Sequence, residues 1–437
     1  MRSTNGKADS ARARAVLFMG DLAVFARQAR LFEEARRRGY SPLAVVSRNT
    51  DLDRFAAVRR DPGHPLACVA DVVQVDDARP ATVLAAAERL VARYDLRGVI
   101  SVGEVFVEPV GVLADCLGLP GPGTAASVIC RNKLLQRMAV PHHAPRWHVV
   151  PSDQRRTFAL AAVDFPVVVK PAGRFYSSGV KRVTDQSELT ATLATYAPDE
   201  TVLVESLVVG PEFSVEALVQ DGEVVWAAVT GKETNQHTGP YFTETSHTCP
   251  AVIGSKDAAA LLAAHADVLR AVKLHDGITH GEYRLSDDGV VLMEVAARLP
   301  GDGITFLWEL ATGEPIEPVM LDLALGLPAS YPPPRRRARQ RFVDHPHGVL
   351  SDVTADGLPV SWPCMDDRWP LFEPRPAAAP PEARGVLVAR TPGDRLGVQV
   401  DSEQRSACVI VDGPLDGDLE AVTTEALASV RVVVQAR

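Results

Sequence analysis

Cysteine is scarce in this chain of 437 residues. There are six, at 68, 116, 130, 249, 364 and 408, and no two have C-x-x-C spacing. The pattern fits neither a disulfide framework nor a zinc site, and a reducing cytoplasm is the expected compartment. Long apolar runs are missing too. The N-terminal AVLFM is too short for a signal-peptide core, and no segment approaches a membrane span. Positive charge is not in excess. A net charge of −9 argues against a general nucleic-acid binder or a binder of anionic membranes. The one basic run, Arg335 to Arg341 after three prolines, reads as a solvated linker. No G-x-G-x-x-G follows the first apolar run and no G-x-x-x-x-G-K-[ST] occurs, so neither dinucleotide binding nor a P-loop is supported. There is no internal repeat and no low-complexity tract.

Hydrophobic content is 46% and charged content 23%, ordinary for a globular protein. The length implies two to four domains. Residues 1–13 read as a loose tail. From 14 to 121, short apolar runs (RAVLFMG, SPLAVVS, ADVVQVD, GVISVG) alternate with helical patterns, one of which runs through LAVFARQARLFEEARRRG to Gly39. Such alternation means βαβ units and a parallel sheet, whose ligands gather at the carboxyl ends of strands. Glu104, in EVFVEP directly after GVISVG, sits at such an end. LGLPGPG (117–123) marks a boundary, and a linker helix through ASVICRNKLLQRMAV fills 122–149. Residues 150–209 read as a small α/β unit, and 210–437 as a larger one with a strand-rich last hundred residues. The expected fold class is a multidomain mixture of α/β and α+β.

The segment GEYRLSDDGVVLMEVAARLPGDG (281–303) reads as a hairpin with an acid on each strand. With a three-residue loop Asp287-Asp288-Gly289, Ser286 pairs with Val290 and Glu282 falls opposite Glu294. Like charges so placed destabilise a sheet unless a cation lies between them. Two carboxylates on one surface suit Mg²⁺ with substrate phosphates. A solvent-facing hairpin with two harmless acids fits equally well, and a one-residue change of loop would put them on opposite faces. Arg298, four residues past Glu294, could grip phosphate or carboxylate bidentately, or bridge to one of the glutamates.

Upstream, FPVVVKPAGRFYSSGVKRV (165–183) is a buried strand ending in Lys170, then a loop with Gly173, Ser177, Ser178 and Gly179. Small residues let backbone N–H groups approach phosphate, although many hairpins contain glycine and serine. TVLVESLVVGPEFSVEA (201–217) carries Glu205, then SLVV around Leu207, then Glu212. A strand edge there can read an adenine and an acid can accept from ribose hydroxyls. In isolation, surface acids on a connection explain it as well.

The ordered set is what is specific: a helix lysine, Lys133, then a strand lysine before a Gly/Ser loop, a hinge glutamate with G-x-E after it, and a two-acid hairpin. This resembles the ATP-grasp superfamily, by motif over roughly residues 95–303. The resemblance implies an N-terminal Rossmann-like (pre-ATP-grasp) domain, a lid at 150–209 and a strand-rich C-terminal subdomain. It implies ATP with Lys133 and Lys170 on its phosphates and Gly173 to Gly179 as lid loop. Glu205 and the backbone near Leu207 would meet adenine, and Glu212 the ribose. Glu282 and Glu294 would hold Mg²⁺, two ions in this family, with Mn²⁺ as a substitute. Many members carry asparagine two residues past the second acid; here that residue is Ala296.

EVAARLPGD is similar to the L-amino acid ligase (bacilysin dipeptide synthetase-like) branch. There a motif resembling EVF supplies an acid, here Glu104, for a substrate ammonium. A segment like YFTETSHTCPA (241–251) supplies Glu244 and His247 beside the reacting carboxyl. The implied activity is ATP-dependent ligation of two amino acids, or of an amino acid and an amine, with Arg298 and His247 stabilising developing charge. The rival readings are a carboxylase of the purine-biosynthesis type and a non-catalytic ATP-binding regulator. Small-molecule amino acids or amines are the expected partners. The oligomeric state is left open, a homodimer included.

Overall fold

A computed structural model describes residues 12–158 and 164–435. Of the segment read as an N-terminal tail, residues 1–11 lie outside the described residues. Strands β1 (Arg14–Met19), β2 (Ser41–Ser47), β3 (Asp71–Val75) and β4 (Asp95–Ser101) form a parallel sheet in the order β3-β2-β1-β4. β1 and β2 are almost continuously buried, as strands covered on both faces must be. The first helical pattern forms two helices, α1 (Leu22–Arg27) and α2 (Ala29–Arg37). The break is at Gln28, whose backbone leaves the helical region and whose side chain donates to Thr305 Oγ1 at 3.0 Å. The chain turns away at Gly39 with φ +80°, where glycine carries no steric penalty. α3 (Leu52–Arg60) follows β2, and Asp51 caps it by accepting from Arg54 N. α4 (Pro80–Arg93) and α5 (Val107–Leu117) complete this layer.

The expected linker helix is likewise two, α6 (Thr124–Cys130) and α7 (Lys133–Ala139). Asn132 starts the second by accepting from Leu134 N and Leu135 N, which places Lys133 in its first turn. β5 (Trp147–Val150), β6 (Val167–Pro171), β7 (Lys181–Val183) and β8 (Val202–Ser206) make a small antiparallel sheet, order β5-β8-β6-β7, backed by α8 (Gln186–Leu193). β5 thus begins inside the segment read as linker.

The largest sheet has nine strands. β9 (Glu212–Gln220), β10 (Glu223–Thr234), β11 (Glu244–Cys249), β12 (Gly277–Ser286) and β13 (Gly289–Ala296) form one half. β14 (Arg336–Phe342) joins them to the C-terminal strands. These are β15 (Gly348–Ala355), β16 (Val360–Ser361), β17 (Glu382–Val388), β18 (Arg395–Leu396), β19 (Ala407–Pro414) and β20 (Val430–Gln435). The order is β13-β12-β9-β10-β11-β14-β19-β17-β16, and β18-β15-β20 form a separate small sheet.

β14 corrects the sequence reading. The basic run is no linker but a strand interior to the sheet, with Arg336, Ala338, Gln340 and Phe342 buried and the arginines between them less so. Arg336 is buried because Asp412 accepts from its Nε at 2.7 Å and three backbone carbonyls take its Nη1. Charge hid a period of two.

Helix α9 (Ser255–Val272) packs on the acid-bearing half of the sheet, and α10 (Ile304–Thr312) and α11 (Glu317–Ala324) follow the hairpin. The N-terminal domain docks through Phe18, Phe25 and Phe32 in one core with Leu218, Ile278 and Met320. Each such side chain contributes about 1.5–3 kcal/mol on burial. No helix among the described residues is long and apolar enough to cross a membrane.

His265 of α9 lies under β12, with Nδ1 2.7 Å from Tyr283 Oη and Nε2 2.9 Å from Thr279 Oγ1. Gly281 leaves it the room, since a Cβ there would stand 2.6 Å from the ring. Burial pushes the imidazole pKa down to about 3. The neutral ring is therefore favoured in the fold, and stability is lost as pH falls below the unfolded value near 6.5. The stability advantage of the wild type over His265→Gln should shrink by about 1 kcal/mol between pH 6 and pH 5, read from urea midpoints.

Candidate active site

The two hairpin acids do face each other, though not through the expected loop. The turn is two residues, Asp287-Asp288, and Ser286 pairs with Gly289. A bulge then intervenes: Tyr283 pairs with Leu292, Met293 is the extra residue, and Glu282 pairs with Glu294. Arg137 of α7 donates to the Met293 carbonyl at 2.6 Å. Gln136 clasps the same strand through Val295 N and Val295 O, at 3.1 and 3.0 Å. α7 thus covers the free edge of β13, which fixes the bulge and with it the pairing of the acids.

Lys133 donates from Nζ to the Arg174 carbonyl of the Gly/Ser loop at 2.6 Å and to Glu294 Oε1 at 3.1 Å. One side chain thus ties α7, the loop and the hairpin together. Lys170, at the end of β6, lies 2.6 Å from Glu205 Oε2, and Arg137 Nε donates to Glu205 Oε1 at 2.7 Å. Burial pushes the Glu205 carboxyl up, but Arg137 and Lys170 outweigh it and hold the pKa at about 2. Glu205, expected to meet adenine, lines the cleft with both oxygens already engaged by two cations, and it positions Lys170.

In the loop, Tyr176 and Ser177 both adopt left-handed backbone with φ 60° and 56°, and Gly179 has φ 74°. Two non-glycine residues in that region store strain of about 1 kcal/mol or more each, typical of a loop shaped for a ligand. Lys133, Lys170, Ser177, Ser178, Glu205, Leu207, Glu212, Glu282 and Glu294 line one cleft between the small sheet and the hairpin. Gly173 and Gly179 belong to the loop but do not line the cleft. Glu212 pairs with Arg284, whose Nη2 donates at 2.8 Å.

A second chamber opens beyond the acids, and Ser177, Glu282 and Glu294 line both. Glu244, His247, Glu282 and Arg298 are among its expected residues, whereas Lys232 and His280 carry no signal in the sequence. Lys232, at the end of β10, reaches Glu244 Oε1 at 3.3 Å, Glu212 Oε1 at 3.6 Å, and Glu282 more closely still. Burial alone would lower its pKa, but the three carboxylates raise it above the ordinary lysine value. His280 stands between Glu216, 2.8 Å from Nδ1, and Glu282, 3.2 Å from Nε2. Burial opposes its protonation and the two acids outweigh that, so its pKa is raised.

His247 Nε2 lies 2.8 Å from Asp302 Oδ2, and its buried Nδ1 has no hydrogen-bond partner. Asp302 in turn accepts from both Nη atoms of Arg405, which lies 3.9 Å over the Phe342 ring. Arg405 and Ser402, which donates to Glu244, come from the C-terminal hundred residues. Only the GD of the RLPGD tail hinted at Asp302; nothing in the sequence near Ser402 or Arg405 marks them.

Arg298 lines this chamber with Glu104 behind it. Arg298 Nε donates to one Glu104 oxygen and Arg131 Nη1 to the other. Burial opposes the charge, yet Arg298 and Arg131 hold the Glu104 pKa at about 2. Glu104 lines neither the cleft nor this chamber, and the expected ammonium contact is replaced by two guanidinium groups. Glu104 positions Arg298.

The acids here are of the type that holds a hard divalent cation, although among the described residues the oxygens of Glu244, Glu282 and Glu294 do not all converge within 4.8 Å of one another. Glu282, Glu294 and Glu244 present carboxylate oxygens around one chamber, the ligand type such ions take. At the departure noted at Ala296, a buried methyl stands where asparagine would be a ligand, and Glu244 is the nearby acid that can make up the set.

Comparison with known proteins agrees with this layout. Residues 163–306 match the family described as ATP-grasp domain. An uncharacterized protein, y4rH, of Sinorhizobium fredii (strain NBRC 101917 / NGR234) is 28% identical over 296 residues, 62% of this chain and 60% of that one. The D-alanine--D-alanine ligase of Pseudomonas entomophila (strain L48) is 38% identical over 114 residues, 24% of this chain and 35% of that one. The chain therefore spans less than two thirds of the length of these relatives. In fold it is similar to the L-amino acid ligase from Bacillus licheniformis, with a TM-score of 0.75 and 20% identity over 98% of this chain and 100% of that one. A phosphoribosylglycinamide synthetase from Anaerococcus prevotii shares the fold at a TM-score of 0.67 and 15% identity, over 97% of this chain and 100% of that one.

Proposed function

From residues 163–306 being an ATP-grasp domain on an ATP-grasp fold, we propose that this protein is an ATP-dependent carboxylate–amine ligase. It joins two amino acids, or an amino acid and an amine, and releases ADP and phosphate. The observation that carries this is the position of Glu282 and Glu294. They stand where a lysine-lined cleft meets a chamber containing Arg298 and His247.

A carboxylate is a poor acyl donor because its leaving group would be oxide. Its oxygen attacks the γ-phosphorus of ATP, the bond to the bridging oxygen breaks, and ADP departs, leaving an acyl phosphate. The amine nitrogen then attacks the acyl carbon, the C–O bond to phosphate breaks, and the nitrogen gives up a proton.

Lys133 and Lys170 put positive charge beside the phosphates, and the Gly/Ser loop from 173 to 179 excludes water from the acyl phosphate. Glu282 and Glu294, with Glu244, would hold Mg²⁺, which when bound draws charge from the transferring phosphoryl group. Arg298, fixed by Glu104, faces the oxyanion that forms as the amine adds. His247, fixed by Asp302, presents the other donor or acceptor of that chamber.

Phosphate release from ATP is expected to require an added amino acid. Turnover supported by bicarbonate alone would favour carboxylation and sink the ligase reading. A panel of paired amino acids, with products identified by mass, completes the test.

A further inference from the structure

Next to the acid-lined chamber lies a larger one of about 390 Å³. Tyr176, Asp302, Ser402 and Arg405 line both, so the two are adjacent. Its walls are chiefly apolar, among them Val24, Phe342, Pro363, Trp369, Leu387 and Val388. Such a size and lining suit a small organic molecule oriented by a few polar groups.

Three guanidinium groups reach this chamber, from Arg27, Arg390 and Arg405. Arg405 is paired with Asp302 and Glu244, and Arg390 with Asp394 at 3.4 Å. Arg27 differs. Its Nη1 donates to the backbone carbonyl of Asp302 at 3.0 Å, and its enclosed Nε has no partner. Among the described residues no carboxylate oxygen lies within ion-pair distance of it. Arg27 is half-buried, and its nearest counter-charge, the Asp302 carboxylate, is not within ion-pair distance and is already held by Arg405. A guanidinium so placed is costly to maintain. Its planar fork matches a carboxylate.

We infer that Arg27 binds the free carboxylate of the acceptor, and that the acceptor is an amino acid whose large apolar side chain fills the chamber of Phe342, Trp369 and Leu387. This rests on the ligase reading above. Asp302 stands where the chambers join, on the route the acceptor nitrogen takes to the acyl group.

The probes are L-phenylalanine, phenylalaninamide and phenethylamine, the last two lacking the carboxylate. Each is tested with the full-length protein for equilibrium binding in the presence of a non-hydrolysable ATP analogue. Each is also tested for phosphate release against a panel of donor amino acids. Wild type should favour phenylalanine over both analogues by about 30-fold or more, as expected for a buried charge pair. Arg27→Met should erase that preference by weakening phenylalanine alone, and Arg27→Lys should restore part of it. Retained binding of the ATP analogue by the variants shows that they are folded.

If Arg27→Met keeps the wild-type preference, or if wild type shows no preference, the inference is overturned. Phosphate release with amino-acid pairs would leave the ligase reading standing in that case. If phenylalanine binds in an Arg27-dependent way but no pair releases phosphate, the carboxylate anchor stands and the ligase reading falls.

Discussion

Glu294→Gln is expected to lower amino-acid-dependent phosphate release by about 10²–10³-fold while leaving the protein folded. The change keeps the shape of the side chain and removes one charge. Among the described residues Glu294 forms an ion pair with Lys133 alone, at 3.1 Å, and it is partly exposed to the chamber. Its loss therefore costs little stability. Its loss from chemistry is large, because the transferring phosphoryl group brings anions together and needs every counter-charge. Raising the magnesium concentration should recover part of the rate, since the defect is one of affinity as well as of charge. Steady-state phosphate release across a magnesium series checks both points. Full turnover at ordinary magnesium would show that Glu294 is not a metal ligand. Glu282 is a poorer choice for this experiment. It helps neutralise the buried Lys232, so its removal mixes a folding defect with a chemical one.

Glu205→Ala should be the most destabilising change at the cleft, by about 3–5 kcal/mol. The alanine strands two buried cations, Lys170 and Arg137, that share this carboxylate. Their repulsion falls on the seam between α7 and the small sheet, so the thermal midpoint drops and the KM for ATP rises together. The pH dependence gives an independent check. The folded pKa of about 2 lies below the unfolded value, so the contribution of Glu205 is complete above the unfolded pKa. It disappears as pH falls toward 2, and the wild-type advantage should fade over that window. A variant with the midpoint and KM of wild type would mean that the triad contributes nothing net.

How far these features could be read from the sequence differs by element, for physical reasons. The N-terminal parallel sheet was plain because strands covered on both faces must be apolar throughout. The pairing of Glu282 with Glu294 was legible in outcome but not in cause. A two-residue turn followed by a bulge at Met293 gives the same partners as a three-residue loop. Helix breaks at Gln28 and Asn132 were missed because the apolar period runs through both, although Asn132 is a good cap. β14 was misread because buried arginines look like solvent-facing charge until Asp412 is in view. Lys232, Asp302 and Arg405 carry no signal because each is a single polar residue whose meaning depends on partners 12 to 161 positions away. Glu104 was found for its strand-end position, while its true partners, Arg131 and Arg298, were invisible at that distance.

The junction formed by Ser402 and Arg405 bears on how the chain is made. A nascent polypeptide that has reached residue 306 already contains both phosphate lysines, the loop and the hairpin acids. It still lacks the guanidinium that holds Asp302 and the hydroxyl that holds Glu244. Lys232 would still neutralise Glu244 and Glu282, but Asp302 would be left with His247 alone. The last hundred residues to emerge thus bring the charges that set the chamber.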